Sequence, residues 1–206
     1  MSESVSGKSA LAQALFRVGA IRFGRLTLPS GRTSSVHIDL TVVPSDPEAY
    51  ALAIAASRTM VESLGVDRLD VLAGLGVTGT SLASPLAYLL KKPLLGLKPE
   101  RKGQAFGWTV EGASQPRWRT VVVSDEVATG RGIVSAVETL RKTGCLVKDA
   151  LALVDRQEGG RATLAAREIV LRSFTDVREL TVSLFESKTI TKATYETVLK
   201  QLEGQA

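Results

Sequence analysis

The sequence predicts an α/β fold, a parallel twisted sheet flanked by helices, on three observations. Strand-like and helix-like segments alternate from residue 47 to residue 174, as consecutive strand–helix units do. The run Val121, Val122, Val123 is β-branched without alternation, which suits a strand covered on both faces. Glycine-bearing turns at residues 74–79, 124–132 and 155–160 follow three of the predicted strands. Ligands of such sheets sit beyond the carboxyl ends of the strands, so these turns are expected to meet on one edge.

The elements follow in order. Residues 9–18, rich in alanine and leucine, predict a helix ended by Gly19. Residues 23–28 and 36–40 predict strands around the turn Pro29, Ser30, Gly31. Ser45, Asp46, Pro47 and Glu48 form a capping-box pattern with proline in the first turn; the helix it opens runs to about Leu64 and is capped by Gly65. Residues 69–75 predict a strand, 80–90 a helix and 93–97 a strand. Residues 98–119 carry Gly103, Gly107, Gly112 and Pro116 with little periodicity and read as a long mobile loop with room for short strands. A strand at 120–123 follows, then a helix at 132–143 with Ile133, Val134, Val137 and Leu140 at helical spacing. A strand at 150–154, a short helix near 161–167, a strand at 169–174 and helices near 176–187 and 191–202 complete the chain.

A length of 206 residues suits a single domain. The single Cys145 excludes an internal disulfide framework and a cysteine-rich metal site, and is expected to pack as a small apolar residue. Residues 71–90 carry no charge, yet Gly74, Gly76, Gly79, Thr78, Thr80 and Pro85 suit a strand, a turn and a buried helix rather than a membrane span. Residues 1–20 lack the pattern of a secretory signal, so a cytoplasmic location is expected. The net charge of +5 favours anionic partners, but the basic residues are scattered, and a nucleic-acid surface is not indicated. The absence of asparagine is compatible with a thermophilic source.

The most informative stretch is residues 121–133. A buried strand ends in Asp125 and Glu126, a small-residue turn follows, and a helix begins. The acids can hold sugar hydroxyls. The first N–H groups of a helix are unpaired and its dipole favours an anion, so the turn can hold a phosphate. The stretch reads as a site for a phosphorylated sugar. Other candidates read as structural: His37 alternates on a strand, Trp108 and Trp118 suit packing of a loop or a subunit contact, and Lys188, Lys192 and Lys200 suit a solvated helix face.

Six segments together, FGRLTLPSGRTSSVHIDL (23–40), VPSDPE (43–48), DVLAGLGVTGTSLASPLA (70–87), KPERKGQAFGWTVEG (98–112), VVVSDEVATGRGI (121–133) and VDRQEGG (154–160), resemble the type I phosphoribosyltransferase family, nearest its orotate-specific branch. The resemblance runs from about residue 10 to residue 190. It implies that family's fold, with residues from about 1 to 45 and parts of the C-terminus as a small hood and about 46 to 175 as the core. It also implies transfer of phosphoribose from 5-phosphoribosyl 1-pyrophosphate to orotate, giving orotidine 5′-monophosphate and pyrophosphate. Mg²⁺ would be bound mainly through the substrate pyrophosphate, with no metal site of the protein's own. By the same resemblance, Asp125 and Glu126 bind the ribose hydroxyls. Ala128, Thr129, Gly130, Arg131 and Gly132 take the 5′-phosphate, and Thr129 and Arg156 contact the base. Gly74, Thr78 and Gly79 face the pyrophosphate, and Lys98 and Lys102 lie on the catalytic loop. A homodimer is expected, with Lys102 reaching the pyrophosphate across the dimer interface.

The departures cluster at the chemistry. Where the family's loop carries Arg-Lys-x-x-Lys-x-His-Gly, this chain has Lys98, Pro99, Lys102, Gln104 and Ala105, so only Lys102 stands unchanged. Pro29 replaces a further lysine, and the phosphate turn is one residue shorter than usual. Two readings follow: a transferase, or a homologue that binds nucleotide or phosphoribosyl pyrophosphate as a sensor or regulatory partner.

Overall fold

The structure, a computed structural model, describes residues 2–27, 33–102 and 105–204, without the side chains of 2–6, 25–27, 33, 101–102 and 105–106. The elements in order are α1 (Ser2–Arg17), β1 (Ile21–Thr27), β2 (Thr33–Ile38), a 3-10 helix (Leu40–Ser45), α2 (Pro47–Leu64) and a second 3-10 turn (Val66–Arg68). Then come β3 (Val71–Leu75), α3 (Gly76–Leu90), β4 (Leu94–Lys102), β5 (Ala105–Glu111), β6 (Arg119–Val127) and α4 (Arg131–Lys142). The chain closes with β7 (Leu146–Asp155), α5 (Gly160–Ala165), β8 (Val170–Asp176), α6 (Val177–Glu186) and α7 (Lys192–Glu203). Among the described residues no helix is long and apolar enough to cross a membrane.

Two compact units form, one from Met1–Ala53 with Thr175–Ala206 and one from Ile54–Phe174. The first is built on the antiparallel β1–β2 hairpin, with Ile21 opposite Ile38 and Phe23 opposite Val36. Leu11 and Leu15 of α1 are fully buried, and Lys8 pairs with Glu179 at 2.7 Å. Phe185 and Tyr195 stack at 4.4 Å and join α6 to α7.

The second unit is built on a six-stranded sheet in the order β5-β4-β3-β6-β7-β8. The pairs β3–β4, β3–β6 and β6–β7 are parallel. Side chains alternate across a strand, so Ala73 and Gly74 face opposite sides. Ala73 packs with Ile133, Ala136, Val137 and Leu140 of α4, whereas Gly74 lies against Thr80 of α3. The sheet is therefore covered on both faces, which explains why 120–124 and 150–155 are buried almost without interruption. The chain leaves β3 for β4 on one side and returns to β6 on the other. Such a reversal marks the carboxyl ends of β3 and β6 as the place where sheets of this kind bind ligands.

Several expectations need correction. The sheet is mixed, because β5 runs antiparallel to β4, with Lys98 opposite Thr109 and Pro99 opposite Trp108. Residues 98–102 and 105–111 are thus strands of a hairpin rather than a long loop. The strands are longer than expected because glycines and Pro99 interrupt any period-two pattern there. The helix after β3 begins at Gly76, not Thr80, because Gly76 itself turns the chain with φ of +65°. The cap of α2 is Asp46, whose carboxylate accepts the Ala49 N–H at 2.8 Å, while Ser45 ends the preceding 3-10 helix. The turn at Pro29, Ser30 and Gly31 lies outside the described residues.

Candidate functional site

The site is built on the carboxyl end of β6. Val121, Val122 and Val123 bury that strand, and the chain then carries Asp125 and Glu126 past the edge of the core. The Ser124 hydroxyl donates to the Glu126 carbonyl at 2.9 Å and steadies the strand end. Adjacent strand residues point to opposite sides, so the two acids diverge. Asp125 lies near the Thr78 hydroxyl of α3, which favours its charge, while Glu126 faces Arg156 beyond β7.

After β6, Ala128, Thr129 and Gly130 turn the chain into α4. Gly130 takes a left-handed φ of +78°. The first helical bond runs from the Val134 N–H to the Gly130 carbonyl at 3.0 Å, so the N–H groups of Arg131, Gly132 and Ile133 precede it. Those three donors and the positive end of the helix dipole form an anion cradle. Arg131 is exposed at its rim. The turn is held from below: a β-carbon on Gly160 would approach the Ala128 carbonyl oxygen at 2.5 Å and the Val127 Cγ2 at 2.7 Å. The same closeness governs the first turn of α3, where a β-carbon on Gly79 would stand 2.5 Å from the Val123 carbonyl oxygen.

Arg156 follows β7, and its N–H donates to the Val127 carbonyl at 2.8 Å. Its side chain is only 13% exposed and is held between two carboxylates, Glu126 Oε1 at 3.4 Å and Glu158 Oε1 at 2.9 Å. The other Glu126 oxygen, Oε2, is buried without a hydrogen-bond partner. A buried carboxylate oxygen left unpartnered is costly unless something fills the gap. Burial pushes the Glu126 carboxyl up to about 7; Arg156 opposes the rise, and Asp125 and Glu158 add to it. Burial also raises Asp125, against the backbone N–H groups and the Ser124 and Thr78 hydroxyls that favour its charge.

The β4–β5 hairpin carries the remaining candidates. Lys98 is exposed and pairs with Glu111 at 3.8 Å. Lys102 is the last residue of β4, and its side chain and Gln104 lie outside what the structure describes. Trp108 packs against the core cluster, and its indole Nε1–H donates to the Gly132 carbonyl at 3.2 Å.

The structure thus gathers Thr78, Asp125, Glu126 and Arg156 around the start of α4, with Gly74 buried in β3 and Gly79 in the first turn of α3. Lys98 instead points its charge at Glu111. Sequence reasoning gave no role to Glu158, although it lies inside the motif that named Arg156; a guanidinium so near a sheet edge needs a counter-charge, and that was the available signal. It assigned Trp108 to packing and missed its bond to Gly132. Among the described residues no group of three His, Cys, Asp or Glu could hold a metal ion.

No protein-family model matches the chain. It is 34% identical to the orotate phosphoribosyltransferase of Cenarchaeum symbiosum over 91% of its length and 92% of the relative's. The crystal structure of orotate phosphoribosyltransferase from Aeropyrum pernix superposes with a TM-score of 0.76 at 35% identity, covering 88% of this chain and 99% of that one. The UMP synthase of Leishmania donovani superposes with a TM-score of 0.81 at 30% identity, over 95% of this chain and 42% of that longer protein.

Proposed function

Because the chain belongs to the orotate phosphoribosyltransferase family, we propose that it joins orotate to phosphoribose at the carboxyl ends of β3 and β6. The products are orotidine 5′-monophosphate and pyrophosphate, a pentosyl transfer of pyrimidine nucleotide synthesis. The observation that carries the site assignment is Glu126 Oε2, buried and unpartnered beside a helix start whose first N–H groups have no helical partner.

Positive charge builds on the ribose ring as the pyrophosphate leaves and the base nitrogen attacks. Catalysis then rests on alignment and on stabilising charge at the departing oxygens. Asp125 and Glu126 accept the ribose hydroxyls and fix the ring. Ala128, Thr129, Gly130, Arg131 and Gly132 enclose the 5′-phosphate, Arg131 adding a cation at the rim. Thr78 and Gly79 face the pyrophosphate over Gly74, and Arg156, with Thr129, takes the carboxylate-bearing base. Mg²⁺ would be held mainly by the pyrophosphate of the substrate and would neutralise charge on it. Lys102, at the tip of β4, supplies the cation that neutralises the leaving group, reaching it across the interface of a homodimer in the cytoplasm.

One observation favours a second reading, binding without turnover: the position after Lys98 is Pro99, an uncharged residue fixed in β4 opposite Trp108. A rate assay with orotate, phosphoribosyl pyrophosphate and Mg²⁺ separates the two. Turnover that falls about 100-fold or more in Lys102→Ala supports the transferase. Calorimetric binding of phosphoribosyl pyrophosphate with no product supports the sensor.

A further inference from the structure

Trp108 bonds to one of the turns assigned above to ligand binding and lies beside another. Its Nε1–H donates to the Gly132 carbonyl in the first turn of α4 at 3.2 Å. The far edge of its six-membered ring lies 3.9 Å from where a Gly76 β-carbon would stand, at the start of α3. Its backbone sits opposite Pro99 in the β4–β5 ladder, three residues from the strand end at Lys102. One side chain therefore ties the hairpin that bears Lys98 and Lys102 to the phosphate turn and sets it beside the pyrophosphate turn.

The bond to Gly132 bears on the anion cradle directly. The Gly132 carbonyl and the Ile133 N–H belong to one rigid peptide unit. Holding the carbonyl fixes where that N–H points, and Ile133 is one of three residues whose N–H groups precede the first helical bond. Gly130 and Gly132 flank Arg131 in a turn that has little side-chain bulk to hold its shape. An external tether there reduces the conformational freedom lost on binding.

We propose that Trp108 is a positioning residue for phosphoribosyl pyrophosphate, holding the first turn of α4 in its phosphate-binding shape and setting the hairpin against it. The proposal rests on the reading of the site given above. It goes beyond that reading because Trp108 has no role in it and acts through the Gly132 carbonyl.

The test is calorimetric titration of phosphoribosyl pyrophosphate with Mg²⁺ into the full chain, its Trp108→Phe variant and its Trp108→Ala variant. Melting temperatures and KM for orotate are measured beside it. Phenylalanine keeps most of the ring and loses the N–H. Trp108→Phe is expected to bind phosphoribosyl pyrophosphate about 3–10-fold more weakly, as the loss of one hydrogen bond predicts, with KM for orotate changed less than about 2-fold. Trp108→Ala should lower kcat as well. If the folded Trp108→Phe variant binds as the parent does, the proposal is overturned and the site assignment stands. An equal rise of both substrate constants, in step with a lower melting temperature, reduces Trp108 to a structural role and overturns it too. A parent that does not bind phosphoribosyl pyrophosphate overturns the site assignment itself. Should Trp108→Ala not fold, the phenylalanine variant decides alone.

Discussion

Gly130 and Gly160 pack backbone to backbone: a β-carbon on Gly130 would stand 2.9 Å from the Gly160 carbonyl oxygen and 3.2 Å from its Cα. The turn after β6 and the turn after β7 are thus one packed unit, and the turn proposed to hold phosphate takes its shape partly from the loop that carries Arg156. Gly160→Ala pushes a methyl into the Ala128 carbonyl, which neither rigid backbone can easily yield. We expect a loss of about 1–3 kcal/mol in urea unfolding, as for overpacking elsewhere, together with weaker binding of phosphoribosyl pyrophosphate.

Glu126 makes the protein's behaviour depend on pH near neutrality. Its carboxyl is raised from the ordinary 4.5 to about 7 in the folded state, so the fold favours the protonated form. Its contribution to stability is full below about 4.5 and is lost as pH rises through 7. Ribose hydroxyls need the ionised acceptor, so binding should move the other way. Affinity for phosphoribosyl pyrophosphate should rise from pH 6 to pH 8 in the parent more than in Glu126→Gln, with the difference between the two profiles read by calorimetry.

Arg156 is held by two carboxylates in the free protein and is expected to turn toward the base when Glu126 engages the ribose. Arg156→Ala should raise KM for orotate about 10–100-fold, the range for a lost charge-assisted hydrogen bond. KM for phosphoribosyl pyrophosphate should change less. Steady-state kinetics with each substrate varied in turn checks this.

The Thr78 hydroxyl of α3 stands near Asp125 and favours its charged form. Thr78→Val keeps the branched shape and removes the donor. We expect kcat/KM for phosphoribosyl pyrophosphate to fall about 2–10-fold with the melting temperature nearly unchanged, because Thr78 is only part-buried.

Much of this site was legible in the chain. Asp125 and Glu126 stood out because a β-branched run ending in two acids has few structural uses, and the Asp155 to Gly160 motif carried Arg156 with it. What was hidden depends on distance. Trp108 and Gly132 are 24 residues apart, and no local pattern announces their hydrogen bond. The β4–β5 hairpin was hidden because Pro99, Gly103 and Gly107 break the alternation by which strands are recognised, while cross-strand bonding to β4 holds the segment extended. The start of α3 differs from the expectation because its first turn is made of glycine, valine and threonine, poor helix formers that tertiary packing on Val123 nonetheless keeps helical. Asp46 outranked Ser45 as a cap because Pro44 sets a 3-10 turn that ends at Ser45 and leaves the next residue at the helix entrance.

The most direct test of the whole account is the initial rate of orotidine 5′-monophosphate formation in the parent and in the Asp125→Asn, Glu126→Gln double variant. The account predicts product that requires orotate, phosphoribosyl pyrophosphate and Mg²⁺ together, with a fall of about 100-fold or more in the folded double variant. A folded double variant that keeps the parental rate, or a parent that forms no product at saturating substrates, would contradict it.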